Sequence, residues 1–409
     1  MSAEISIEGA AQVLRPAVEG LPYVRLDRAA ELTLDPGEVL IEDATIAGFD
    51  ADANAQCRIR ADGAAVIPGF VDCHTHLPFA GWRAQEYAMK VAGVDYAEIA
   101  RSGGGIAASA RALAASSDEQ VLEQARGLAN EMLEHGTTTF ECKSGYGLSE
   151  EAELRALALA ERLDGLVEQT TTSTALLAHA VPPGREKDEW MRAVERLAPR
   201  TRASALDIFV ESMAFDLDDL ATMGRLAATA GKALRAHVEQ FSTMRSVPVA
   251  LDAGARSLDH LVALAPEDLP RLAAAECAAV LLPGAELMGD EGVAPGRALA
   301  DAGAIGVLAT DANPGTSPIF SLPLIVGLAV RRYSWTIREA LCAVTLNPAW
   351  VLGLADRLGS LERGKRADML VLDCPVEHIP YRLGHNPVAI VIVGGRIVHV
   401  RADQAWRVA

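Results

Sequence analysis

The sequence has no Cys-x-x-Cys pair, and its six cysteines, Cys57, Cys73, Cys142, Cys277, Cys342 and Cys374, stand far apart. That usage fits neither a disulfide framework nor a thiolate metal knuckle, and it suits a reducing, cytoplasmic setting. Basic residues are in deficit: 37 Lys and Arg against 55 Asp and Glu give a formal charge of −18. Nucleic acid and anionic membranes reward clustered cations, and no such cluster occurs, so neither is expected as a partner. No apolar run approaches the ~18 residues of a membrane span. The opening Met-Ser-Ala-Glu-Ile-Ser also lacks the basic and apolar regions of a secretory signal. Low-complexity tracts and exact short repeats are missing, which argues against a solenoid.

What is present is a globular composition. Of 409 residues, 50% are hydrophobic and 22% charged, the profile of a chain that buries a core. The length suits two or three domains of ~150 residues each, or one large α/β barrel that absorbs most of the chain.

Both ends read as β structure. Residues 1–66 alternate short apolar segments, such as Glu38-Val-Leu-Ile-Glu, with Asp, Gly and Pro turns, the pattern of small antiparallel strands. Near the other end, Ala367-Asp-Met-Leu-Val-Leu-Asp is followed by Ala389-Ile-Val-Ile-Val-Gly-Gly-Arg-Ile-Val-His, which predicts strands around a Gly-Gly turn. The simplest arrangement joins 1–66 and 362–409 into one small β-sandwich domain beside a catalytic domain of 67–361. Within the latter, eight apolar β-prone runs begin at Gly69, Thr137, Thr171, Leu206, Lys232, Ala255, Cys277 and Ala304, each followed by a helical stretch. That number and period predict an α/β fold, a (β/α)8 TIM barrel, with its site at the C-terminal strand ends. An open doubly wound sheet has the same local pattern.

Histidines fall at those strand ends: His74 and His76 after the first run, His179 after the third, His237 after the fifth and His260 after the sixth, with Asp311 after the eighth. His74 and His76 are two apart, so on extended backbone both imidazoles point to one face and can reach one ion. With His237 and Asp311 they make a nitrogen and oxygen donor set suited to Zn2+ or a similar divalent ion, with a position left for water. His260 then stands ready as general acid, base or oxyanion stabiliser, and a buried histidine satisfied by backbone is the alternative. Asp311 can both ligate and carry a proton.

Other residues read more plainly. Lys143 and Glu211 suit an ion pair or outer support better than a bridge to a second metal. Gly103-Gly-Gly-Ile suits a helix-ending turn rather than a phosphate cradle. His135 suits a helix C-terminus, Cys73 suits packing, and His378, His385 and His399 suit structural or solvent-facing places.

The stretch Pro68-Gly-Phe-Val-Asp-Cys-His-Thr-His-Leu, with Gly359-Ser-Leu-Glu-Arg-Gly-Lys-Arg-Ala-Asp and Gly394-Gly-Arg-Ile-Val, resembles the metal-dependent amidohydrolase superfamily. Narrower motifs resemble its imidazolonepropionase branch: Glu98-Ile-Ala-Arg-Ser-Gly-Gly-Gly-Ile, Glu141-Cys-Lys-Ser-Gly-Tyr-Gly-Leu, Ala178-His-Ala-Val-Pro-Pro, Leu282-Pro-Gly-Ala and Ala309-Thr-Asp-Ala-Asn-Pro-Gly-Thr-Ser-Pro. The resemblance implies a barrel with a small β-sandwich from both termini, one Zn2+ or Fe2+, and a homodimer. It also implies hydrolysis of 4-imidazolone-5-propanoate to N-formimino-L-glutamate in histidine degradation. By motif position it makes His74, His76, His237 and Asp311 the metal ligands and His260 a catalytic histidine. Arg83, Tyr146, His179, Asn313, Gly315 and Thr316 fall where the family contacts substrate. A guanidinium at Arg83 suits the propionate arm through a two-pronged bond, where a rim salt bridge with Glu86 is the ordinary reading.

Three departures flank this pocket. Gln240 stands where some members carry Glu, which keeps hydrogen bonding to substrate but not proton transfer. Thr243-Met-Arg-Ser-Val-Pro-Val lacks the usual Gly-Gly, and Trp82 replaces a small or acidic residue. They leave open a hydrolase or desulfhydrase acting on a related oxo- or thioxo-imidazolidine propionate. A barrel that has lost catalysis and serves as a binding protein is the remaining alternative, and the four intact ligands argue against it.

Overall fold

The computed structural model describes residues 4–409 except 53, 95–97, 100–102, 290 and 291. The opening Met-Ser-Ala and part of the Glu98–Ile106 motif therefore lie outside the described residues. Five strands come first: β1 (Ile5–Pro16), β2 (Leu32–Glu42), β3 (Thr45–Gly48), β4 (Cys57–Arg60) and β5 (Ala65–Pro68). Then follow β6 (Phe70–Asp72), β7 (Thr137–Lys143), β8 (Thr170–Ala178), β9 (Ala205–Val210), β10 (Ala233–Val238), β11 (Ala255–His260), β12 (Ala278–Leu281) and β13 (Ile305–Leu308). The last three are β14 (Met369–Leu372), β15 (Val388–Val393) and β16 (Arg396–Val400).

Strands β6 to β13 pair in chain order, all parallel, as the eight-stranded wall of a TIM-like barrel. Their residues are largely buried on both faces because helices cover the outside. The helix Lys187–Leu197 shows how: Trp190, Met191, Val194 and Leu197 fall on one face and are buried. The Trp190 indole N–H, which would be costly to bury unpaired, donates to the Leu177 carbonyl at 3.0 Å. Full burial of each such large apolar side chain contributes ~1.5–3 kcal/mol.

The seam between the first and eighth strands is closed differently. The turn after the helix Ile337–Cys342 enters between them, with Val71 N–H donating to Val344 O and Leu308 N–H to Ala343 O, at 2.9 and 2.8 Å. Further up, the Asp72 carboxylate accepts from Thr310 N–H at 3.2 Å and Thr310 Oγ1 at 2.6 Å. Beyond that, Thr75 and Ala312 form a parallel bridge. The wall is thus nearly closed, and its closing bonds lie beside the candidate site.

The terminal strands form one sheet in the order β16-β15-β14-β5-β1-β2-β3, with β4 also on β1. The two layers of the expected sandwich are continuous, curled round a core that includes Ile7, Val39, Ile59, Val66, Met369, Val371 and Ile390. At the β15–β16 turn Gly394 and Gly395 both have positive φ, 54° and 74°, the conformation a two-residue hairpin turn of this hand requires. One detail departs from the expected antiparallel strands: β1 pairs antiparallel with β2 but parallel with β4 and β5. Alternation specifies a strand and its faces, and carries no information on pairing direction. Among the described residues no helix is long and apolar enough to cross a membrane, and the six cysteines are unpaired thiols.

Candidate active site

Three strand ends and one seam deliver the candidate ligand set. His74 and His76 follow β6, with the intervening Thr75 tied to Ala312 across the seam; His237 lies in β10 and Asp311 beyond β13. Their ligand atoms converge. The coordinating nitrogens of His74, His76 and His237 lie within 4.8 Å of one another, and Asp311 Oδ1 is 3.2 Å from His76 Nε2 and 3.5 Å from His74 Nε2. Asp311 and His260 both hold positive φ, 53° and 81°, a conformation that costs non-glycine residues roughly 1–3 kcal/mol and clusters at functional sites.

Carboxylates beneath the cluster orient its imidazoles. His74 Nδ1 bonds Asp259 Oδ2 at 2.6 Å and His237 Nδ1 bonds Asp207 Oδ1 at 3.1 Å. With the proton on Nδ1, each ring turns an unprotonated Nε2 to the common point. Those two Nε2 atoms are buried and have no hydrogen-bond partner among the described residues, a costly state for polar atoms that a bound divalent ion would relieve. Burial pushes the His76 imidazole down to about 4 and lowers His237 as well, which favours the neutral form that ligates. For His74, burial and Lys143 press downward, but the bond to Asp259 and the nearby Asp311 carboxylate outweigh them and raise it. Burial alone would raise Asp311, yet the contacts with His74 and His76 hold it well below the usual carboxylate range. Three imidazoles and a carboxylate fit one divalent ion of the zinc or iron type.

Above this cluster one pocket is lined by His76, Arg83, Tyr146, His179, His237, Gln240, His260, Asp311, Asn313 and Thr316, so the structure brings together nearly every residue expected there. His74 is fully buried beneath, and Gly315 packs behind Arg83. Arg83 is 92% buried, and its Nε and Nη1 have no hydrogen-bond partner among the described residues. The rim pair with Glu86 is only a 3.5 Å contact, because Glu86 spends both oxygens on the Gly105 N–H at 3.1 Å. The glycine turn thus leads into the helix Ile106–Ala115, with Gly105 as N-cap, and holds a carboxylate of its own chain. His179 Nδ1 bonds the Gly145 carbonyl at 3.0 Å, and burial keeps it well below its ordinary value. Burial also pushes His260 down to about 3 against the pull of Asp311, so it is neutral at pH 7.

Side-chain oxygens shape the loops that carry these groups. Glu153 accepts the amides of Gly145, Gly147 and Leu148 around Tyr146. Glu211 accepts those of Ser212, Phe241 and Ser242, and Glu239 those of Met244 and Ser246. Asn313 Oδ1 accepts from Gly315 and Thr316 N–H while its Nδ2 donates to Asp311 O. Glu211 and Lys143 each give support, as expected, but apart from each other: Lys143 Nζ pairs with Asp207 at 2.7 Å and Glu141 at 3.1 Å. His135 ends its helix, with Nδ1 on the Glu131 carbonyl, Cys73 is packed, and His385 pairs with Asp373 at 2.9 Å.

Sequence reasoning missed Ile106, Phe209 and Phe241 in the pocket wall, and the buried Asp207, Arg235, Asp259 and Glu141 below the ligands. For Asp207, Arg235 and Asp259 a signal exists: each interrupts an apolar strand, where charge is buried only when paired. Through Gln240 and Phe241 the pocket adjoins a vestibule of about 860 Å3, bordered by Tyr87, Lys90, Met213 and Leu287.

A sequence profile described as the Amidohydrolase family matches residues 102–399. The imidazolonepropionase of Rubrobacter xylanophilus is 41% identical over 368 residues, covering 89% of this chain and 87% of its own. That of Herpetosiphon aurantiacus is 38% identical over 397 residues, covering 92% and 93%. Among solved structures, 5-methylcytosine deaminase from Klebsiella pneumoniae superposes with a TM-score of 0.72 at 18% identity, covering 97% of both chains. An adenosine deaminase from Xanthomonas campestris with bound zinc gives 0.65 at 18% identity, covering 97% of this chain and 93% of its own. Likeness at that identity speaks to fold alone.

Proposed function

Because the chain belongs to the amidohydrolase family, in its imidazolonepropionase branch, we infer that it hydrolyses the ring amide of 4-imidazolone-5-propanoate to N-formimino-L-glutamate, a step of histidine degradation. The observation that carries this reading at the site is Arg83: a buried guanidinium whose Nε and Nη1 have no hydrogen-bond partner among the described residues and whose ionic contact with Glu86 is 3.5 Å long, in the pocket that holds the imidazole cluster. A carboxylate arm supplies a hydrogen-bond acceptor to one edge of that guanidinium.

His74, His76, His237 and Asp311 would hold one divalent ion, Zn2+ or Fe2+. The chemistry that ion supplies when bound is Lewis-acid activation of water and of the ring carbonyl. Arg83 anchors the propionate arm and so fixes the ring against the cluster. His260, neutral through burial, donates an N–H to the carbonyl oxygen as negative charge develops there. Asp311, kept ionised, takes the proton of the attacking water and passes it to the ring nitrogen as the carbon–nitrogen bond breaks. Tyr146, His179 and Thr316 offer hydrogen bonds along the substrate. Gln240 bonds the ring as donor and acceptor and carries no proton. We read the enzyme as a cytoplasmic homodimer, for which light scattering should give twice the chain mass of 43.2 kDa.

The test is elemental analysis coupled to a substrate panel. Stoichiometric zinc or iron with turnover of the imidazolone is expected, and His237→Ala should lose both metal and activity. Negligible imidazolone hydrolysis beside turnover of a thioxo- or oxo-imidazolidine propionate would move the assignment to that ring. A His237→Ala protein with full metal content would overturn the ligand set.

A further inference from the structure

The two carboxylates that orient His74 and His237 are the ends of one unbroken chain of buried ionic contacts. From His237 Nδ1 it runs 3.1 Å to Asp207 Oδ1, and Asp207 Oδ2 accepts from Lys143 Nζ at 2.7 Å. Lys143 Nζ lies 3.1 Å from Glu141 Oε2, and Glu141 Oε1 accepts from Arg235 Nη1 at 2.5 Å. Arg235 Nη2 then donates to Asp259 Oδ2 at 2.8 Å, the oxygen that His74 Nδ1 meets at 2.6 Å. All five charged members are at most 1% exposed. Their signs alternate along the chain, three carboxylates against two cations, so the floor under the imidazoles carries a net charge of −1.

Glu141 is the centre of this chain. Its carboxylate makes no bond to either histidine, and both reach it through two intermediaries. Its backbone also grips the ligand loop: the Glu141 carbonyl accepts from Thr75 Oγ1, between His74 and His76, at 2.5 Å. Removing the central acid takes from each cation one of its two close carboxylate contacts, leaving Lys143 on Asp207 and Arg235 on Asp259, so the geometry that aims those two acids loses its shared anchor.

We propose that Glu141 is a positioning residue for the metal ligands. It sets the orientation of His74 and His237 at once, and its charge keeps the floor anionic toward a cation above. The proposal rests on the ligand assignment of the preceding section. It adds that the affinity of the site is set by a residue that touches neither ion nor substrate.

The experiment measures Zn2+ dissociation constants of the full chain by competition with a chromophoric chelator, together with the thermal midpoint of the metal-free form. E141Q should bind Zn2+ at least about tenfold more weakly than wild type, the size of effect seen when an outer partner of a ligand is lost. E141D, which keeps the charge and shortens the reach, should weaken binding about threefold or more. The metal-free midpoint reports what the substitution costs the fold itself, so weaker zinc binding without a matching loss there supports the proposal. Unchanged affinity in whichever of the two variants folds overturns it. A wild-type protein with no measurable zinc affinity overturns the ligand assignment and this proposal together, which the variants alone would not.

Discussion

A Cβ placed on Gly315 would lie 1.8 Å from Arg83 Nη2 and 2.0 Å from its Nε; the guanidinium occupies the space that any side chain at 315 would need. The two are also tied through backbone, Arg83 N–H donating to Pro314 O at 2.9 Å. Gly315→Ala must therefore displace the guanidinium. A charge-assisted bond is worth ~1.5–3 kcal/mol, so KM for the propionate substrate should rise about 10- to 100-fold. An analogue whose arm ends in a neutral amide should be affected far less, and steady-state kinetics on the two substrates decides the matter.

His260 is expected to act on the chemical step. His260→Ala should lower kcat by about 10^2- to 10^4-fold, with KM and metal content nearly unchanged. Kinetics beside elemental analysis checks this; a loss of metal would mean that the residue belongs to the ligand set instead.

Glu211 folds the pocket wall and leaves the metal alone. Glu211→Ala strands three amides, of Ser212, Phe241 and Ser242, at ~1–3 kcal/mol for each one left buried and unmet. A lower melting temperature and a higher KM are expected at unchanged metal content, with partial recovery in Glu211→Gln, which keeps one accepting oxygen.

Acid stability should register the pair Arg297–Glu339, bidentate at 2.8 and 3.1 Å. Burial would raise the Glu339 carboxyl, but the Arg297 bond and the Thr336 contacts outweigh it and hold it below its ordinary value. A carboxyl lower in the folded than in the unfolded state stabilises above the unfolded value, about 4.3, and that stability is lost as pH falls through the folded value. Thermal midpoints of wild type and Glu339→Gln should thus differ by a constant amount above roughly pH 5.5, and the gap should close below about pH 4.

Much of the barrel and the ligand set is legible along the chain, for physical reasons. Strands such as Ala278–Leu281 are apolar runs, and His74, His76, His237 and Asp311 each stand at or just beyond a strand end, where a barrel gathers polar groups on one rim. The floor is not legible in the same way. Asp207, Arg235 and Asp259 mark themselves as odd by interrupting apolar strands, yet which charge meets which depends on the lateral stagger of β7, β9, β10 and β11. Local pattern fixes faces and leaves that stagger open. The loops held by Glu153, Glu211 and Glu239 are hidden for a related reason: a carboxylate on a helix or strand end looks solvent-facing until the amides it accepts are brought to it.

The terminal sheet bears on how the nascent chain survives its own synthesis. β5 leaves the ribosome early with β1 on one side, while its other edge is covered only by β14, after the whole barrel has been translated. In the interval an apolar strand, Ala65-Val-Ile-Pro, offers open backbone to any passing chain. Its proline and its four-residue length are the protections the sequence gives it until the carboxyl-terminal strands arrive.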